Sequence, residues 1–149
     1  MSDQGASYLV IARTLYDGRK IEPRNGMAIC VEDGLITEVR PAQSSDRPAV
    51  TADVICPGFV DMQINGANDV QFNDTPTANG IAVIAKGARQ GGTTHILPTF
   101  IPAPETDYLS AIQAVAEARK ADIPGILGVH LEGPFLSPER PGIHPSDCV

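Results

Sequence analysis

Residues 75–100 read TPTANGIAVIAKGARQGGTTHILPTF, and the change of rhythm inside this stretch decides the fold. Ile81, Ile84, Ala85 and Ala88 fall at i, i+3, i+4 and i+7, the single apolar stripe of a helix lying on a core. Thr75 can cap its start, Pro76 suits the first helical position, and Gly91 ends it. THILPTF then reads as a strand. Upstream, FVDMQI (59–64) is another short apolar strand. Downstream, TDYLSAIQAVAEARKA (106–121) is a second helix, with Leu109, Ile112, Ala116 and Arg119 expected along the border of its buried face. Pro124-Gly125 is expected to break that helix before a third strand, ILGVHLE (126–132). Strands joined by single helices pair in parallel through crossovers, so the segment is α/β.

The first 57 residues have another texture. YLVIA (8–12) is an apolar run, and GMAICVEDGLITEVR (26–40) reads as a hairpin. Its arms meet at Asp33-Gly34, a pair suited to the two positive φ angles of a type I′ turn. Leu35, Thr37 and Val39 alternate with Ile36, Glu38 and Arg40, which predicts one mainly apolar face. A polar stretch, PAQSSDRPAVTAD (41–53), links onward to VICPGFVD. The expected division is a small β domain over 1–57 and an α/β domain over 58–149.

Composition narrows the function. The net charge of −7 argues against nucleic acid, whose phosphates are held by a surplus of Lys and Arg. Cys30, Cys56 and Cys148 are odd in number and far apart, which points to buried reduced thiols rather than a disulfide framework or thiolate metal site. The opening MSDQGAS lacks the basic and apolar regions of a signal peptide, and no apolar run approaches the ~20 residues of a membrane span. A cytoplasmic location, with no membrane partner, is the expectation.

Chemistry in parallel α/β folds gathers at the C-terminal ends of the strands. Three loops qualify here: the one after FVDMQI, the one after THILPTF, and EGPFLSPERPGIHP (132–145). His130 and Glu132 are two apart in a strand and share a face. A carboxylate at the rim of an apolar interior needs a cation, either Arg, Lys or a metal; a structural ion pair or a solvent-facing Glu132 stands equally open. His130 and His95 read as structural histidines. His144, between Gly142 and Pro145, suits an active-site loop and equally an ordinary rigid one. Gln63 and Asn65 point one way at a strand end, where amides can hold a ligand or a water, or simply close a turn.

PGFVDMQINGANDVQFND (57–74), GGTTHILPTF (91–100) and GVHLEGPFLSPERPGIHP (128–145) together resemble the N-acetylglucosamine-6-phosphate deacetylase family of the amidohydrolase superfamily. The resemblance runs from about Tyr8 onward. It implies the first three βα units of an incomplete (β/α)8 TIM-type barrel, preceded by part of a small β-sandwich. It implies hydrolysis of the acetamide of N-acetylglucosamine 6-phosphate to glucosamine 6-phosphate and acetate. Glu132 corresponds to a metal ligand. Ile143 and His144 correspond to a substrate-contacting pair, with His144 catalytic through polarisation of the acetamide oxygen. Gln63 and Asn65 stand where other amidohydrolases carry two metal-binding histidines, which implies a single divalent metal, zinc, and leaves these amides to substrate and water. Homodimers or higher homo-oligomers are the family's expected assembly.

Three strands are less than half of a barrel of about 250 residues, and one carboxylate does not hold zinc. The expectation is therefore an N-terminal portion, inactive alone, whose remaining ligands and catalytic base lie beyond residue 149. A different amidohydrolase (another deacetylase or a cyclic amidase) and a truncated, non-catalytic paralogue that binds a partner chain are the competing readings.

Overall fold

The computed structural model describes residues 7–103, 107–144 and 147. The chain divides into two compact units, Met1–Pro57 and Gly58–Val149.

In the first unit β1 (Tyr8–Leu15), β2 (Arg24–Glu32), β3 (Leu35–Pro41) and β4 (Val50–Ile55) form one sheet in the order β3-β2-β1-β4. The β1–β2 and β2–β3 pairs are antiparallel, and β4 joins β1 in parallel. Asp33 (φ 51) and Gly34 (φ 77) both take the left-handed conformation that the hairpin turn requires. The stretch 41–53 is not all linker, because β4 already begins at Val50. Ala12, Leu15, Met27, Ile29 and Val31 form the core, with Val10, Val39 and Ile55 against them.

Alternation along β3 fails. Cys30 faces Glu38 but Val31 faces Ile36, so Thr37 is an extra residue in the ladder. A bulge shifts every later side chain to the other face. Val39 packs on the core while Leu35 stays 71% exposed. Arg40 grips Asp46 with two hydrogen bonds of 2.8 and 2.7 Å, and the Gln43 amide donates a third at 2.7 Å. Those bonds, the guanidinium's first, hold the Asp46 carboxyl down to about 2, and the same contact raises Arg40 above its ordinary value. Cys30 is half-buried and Cys56 exposed, both as free thiols, so the expected burial of Cys56 is corrected. Cys148 lies outside the described residues.

The second unit begins with β5 (Phe59–Ile64) and a miniature hairpin, β6 (Gly66–Ala67) and β7 (Val70–Gln71). It continues through α1 (Ala78–Gln90), β8 (Thr93–Phe100), α2 (Tyr108–Lys120) and β9 (His130–Leu131). Strands β5, β8 and β9 form a parallel sheet in that order, with β8 central. Where a polar loop was expected after β5, Asn68 (φ 52) and Asp69 (φ 60) turn the chain back on itself.

The apolar stripe of α1 is buried as read: Ile81, Ile84, Ala85 and Ala88 meet Ile96 and Phe100 of β8 and Ala111, Ala114, Val115 and Ala118 of α2. Fully burying side chains such as Ile81 and Ile84 contributes roughly 1.5–3 kcal/mol each. The cap of α1 is Thr77, not Thr75. Thr77 has extended backbone (φ −133, ψ 156) and accepts a hydrogen bond from the Gly80 amide, so Pro76 stands outside the helix.

Helix α2 buries small residues, and Leu109, Ile112, Ala116 and Arg119 all fall on its exposed side rather than at a border. Alanines let the two helices approach closely, and the core selects them over the larger side chains. Pro124-Gly125 does not end this helix either. Asp122 (φ 53) takes the left-handed position, and the Asp122 and Ile123 amides bond back to the Arg119 and Ala118 carbonyls at 3.1 Å each. That double closure is a Schellman motif, and Ile123 packs on the core beside it.

The third strand is shorter than its apolar run. Ile126 bridges Ile96, and regular pairing returns only at His130 and Leu131. Pro98 stands in β8 opposite the gap. Proline has no amide hydrogen for the ladder, and the register advances by one residue between the Ile96–Ile126 bridge and the Thr99–His130 pair. No helix among the described residues is long and apolar enough to cross a membrane.

Candidate functional site

At the C-terminal ends of β5 and β9, side chains distant in sequence meet. Gln63 Nε2 donates to Glu132 Oε2 at 2.9 Å, and His144 Nε2 lies 3.1 Å from Glu132 Oε1. A carboxylate can only accept, so His144 carries its hydrogen on Nε2. Glu132 is held by its backbone too, its amide donating to the Phe100 carbonyl at 3.0 Å. The loop returns His144 to the strand end through Gly142, at φ 64, and the His144 amide bonds to the Pro141 carbonyl.

This arrangement selects among the candidate residues. The His144 side chain is only 6% exposed and Glu132 28%, so the loop histidine is seated rather than solvated. Its Nδ1 is buried without a hydrogen-bond partner among the described residues. A buried polar atom left in that state costs about 1–3 kcal/mol. Asn65 is exposed, and its backbone carbonyl accepts from the Phe72 amide. No hydrogen bond among the described residues joins its side chain to the trio. Ile143 is 87% exposed beside His144.

His130 is half-buried, its Nδ1 3.2 Å from the hydroxyl of fully buried Thr99 on β8, in keeping with a hydrogen-bonded structural histidine. His95 is exposed and pairs with the adjacent Thr94. Below the trio the sheet presents an open concavity of about 670 Å³, lined by Asp61, Gln63, Leu97 and His130 among others.

Asn73 was not singled out from the sequence. Its side chain donates to the Ile101 carbonyl at 2.8 Å and accepts from the Ile101 amide at 3.0 Å, tying the loop after β8 to the segment after β7. A side-chain amide that copies a strand's donor and acceptor pair carries no periodic signal in a sequence.

A catalytic zinc takes three protein ligands. Among the described residues no three His, Cys, Asp or Glu side chains converge as a metal would require. Glu132 suits one position of such a site, and the residues present do not complete it.

No family model matches the chain. The N-acetylgalactosamine-6-phosphate deacetylase of Shewanella sp. (strain ANA-3) is 37% identical over 139 residues, covering 87% of this chain and 35% of the relative. The N-acetylglucosamine-6-phosphate deacetylase of Haemophilus influenzae is 30% identical over 146 residues, covering 95% of this chain and 38% of the relative. The crystal structure of N-acetylglucosamine-6-phosphate deacetylase from Pasteurella multocida superposes with a TM-score of 0.80 at 28% identity, over 95% of this chain and 38% of that one. The chain matches the N-terminal part of N-acetylglucosamine-6-phosphate deacetylases. It spans little more than a third of the length of these deacetylase relatives. Its likeness to the Pasteurella multocida deacetylase runs through both units, the β sheet as well as the parallel α/β segment.

Proposed function

We propose that these residues are the N-terminal portion of a metal-dependent enzyme that hydrolyses the acetamide of N-acetylglucosamine 6-phosphate to glucosamine 6-phosphate and acetate. In this reading residues 1–57 contribute to a small β-sandwich and 58–149 open a (β/α)8 barrel of the amidohydrolase type. Activity then depends on residues beyond 149. The observation that carries the reading is the meeting of Gln63, Glu132 and His144 at the strand ends.

Amide hydrolysis needs activated water, a donor to the developing oxyanion, and a proton path to the leaving amine. Glu132 is the ligand this segment gives to a divalent ion, zinc in our reading. Such an ion, when bound, lowers the pKa of water. His144 supplies the oxyanion donor: the Nε2–H now on Glu132 is the hydrogen that meets the acetamide oxygen. Gln63 orients the carboxylate through its amide, and Asn65 and Ile143 face the sugar.

The test uses the complete protein. Acetate release from N-acetylglucosamine 6-phosphate is measured alongside bound metal for the unsubstituted enzyme, Glu132→Gln and His144→Asn. Glu132→Gln is expected to lose metal and turnover together. His144→Asn should keep the metal and lose about 10²–10³ in kcat, the range for one oxyanion donor. Full metal content and full turnover in Glu132→Gln would remove the assignment.

A second substrate reading follows from the Shewanella relative, whose identity to this chain exceeds that of the Haemophilus enzyme and whose substrate differs only at the sugar. Comparing kcat/KM on N-acetylgalactosamine 6-phosphate and N-acetylglucosamine 6-phosphate decides between the epimers.

A further inference from the structure

We propose that Asp61 is a positioning residue, whose carboxylate holds a bulge in β5 and thereby aims Gln63 at Glu132. The proposal rests on the reading of Glu132 as the functional carboxylate.

The register of β5 against β8 carries the argument. Asp61 stands opposite Ile96 and Ile64 opposite Pro98, so Met62 and Gln63 together face the single residue Leu97. One extra residue bends a strand and turns the side chains beside it, and bulges recur next to active sites for that reason. The bend has work to do here, because β8 lies between β5 and β9. Neighbouring strands are about 4.8 Å apart, so Gln63 and Glu132 belong to backbones separated by roughly twice that distance. Their side chains still meet at 2.9 Å over the central strand. Neither reaches far enough unless it leans inward.

A bulged strand needs its displaced amide satisfied. Asp61 Oδ1 accepts the Gln63 amide at 3.0 Å, two residues along its own strand. That bond closes a local turn and fixes the direction in which Gln63 leaves the backbone. Asp61 is half-buried and lines the concavity under the trio. The role needs an acceptor oxygen at Oδ1 and no negative charge.

The experiment compares Asp61→Asn, which keeps that oxygen, with Asp61→Ala, which removes it, both in the complete protein. Two readings are taken: hydrogen-exchange protection of the Gln63 amide, and kcat and KM for acetate release. Asp61→Asn should stay within about twofold of the unsubstituted protein. Asp61→Ala should lose the Gln63 protection and about tenfold or more in kcat at nearly constant KM, the pattern of a misaimed group. Unchanged Gln63 protection in Asp61→Ala overturns the proposal, and so does an Asp61→Asn variant as impaired as Asp61→Ala. If Asp61→Ala does not fold, Asp61→Ser replaces it: a hydroxyl holds such an amide more weakly, so protection must fall in a folded protein. An unsubstituted protein without turnover counts against the proposed function, while amide exchange still judges Asp61.

Discussion

Burying one ring nitrogen of His144 with no partner among the described residues is offset by the bond that the other makes to the Glu132 carboxylate. That bond keeps a hydrogen on Nε2, the atom from which the ring can turn to donate to a reacting oxygen. Single bonds elsewhere set stability in the same local way. Removing the Thr77 hydroxyl leaves the Gly80 amide unpaired at the start of α1. Thr77→Ala should therefore cost about 1 kcal/mol, read from the denaturant midpoint. Asp46 gives a pH-dependent case. Its carboxyl sits near 2, below the ordinary 3.8. The stability it lends is complete above the ordinary value and is lost as pH falls toward the folded one. Asp46→Asn should flatten the acid side of the thermal-stability profile across that window. An unchanged profile would mean that Arg40 does not hold the carboxylate in solution.

Elements of the second unit are shaped by close approach as much as by propensity. A glycine inside a helix ordinarily weakens it by up to about 1 kcal/mol relative to alanine. Gly80 is an exception, because a Cβ there would collide with the Thr75 carbonyl and its methyl group. Gly80→Ala should lower the unfolding midpoint although it raises helix propensity. A stabilised variant would show that the 75–77 turn yields freely. The stripe of α1 was legible because large side chains recur at helical spacing. The face of α2 is not legible in the same way because its contacts are mostly alanines, too common and too small to mark a face by size. Its end was misread for a related reason. Asp122 takes a left-handed position two residues before the more obvious breaker, Pro124-Gly125.

At the scale of the whole molecule, the parallel sheet of the second unit ends, among the described residues, at β5 on one side and β9 on the other. Phe59, Val60 and Met62 of β5 are 64%, 55% and 67% exposed. An unpaired strand edge bearing large apolar groups templates association. The isolated 149-residue chain is expected to partition into aggregates and to release no acetate, as measured by its soluble fraction and by turnover. A soluble, active monomer of this segment would refute that expectation and the incomplete-site reading with it.

The sequence by itself determined the alternation of strand and helix, the Asp33-Gly34 turn, and the stretches whose ends carry Gln63, Glu132 and His144. Each is written in local order, as a spacing of apolar residues or as a dipeptide with a preferred backbone. Only the tertiary structure decided that Gln63 and His144 share one carboxylate, that Thr37 and the Met62–Gln63 pair interrupt their ladders, and that Pro98 coincides with a gap in the third strand. These depend on which residue of one strand stands opposite which residue of another. Hydrogen-bond register between segments tens of residues apart is fixed by packing of the whole, and no single stretch of chain records it.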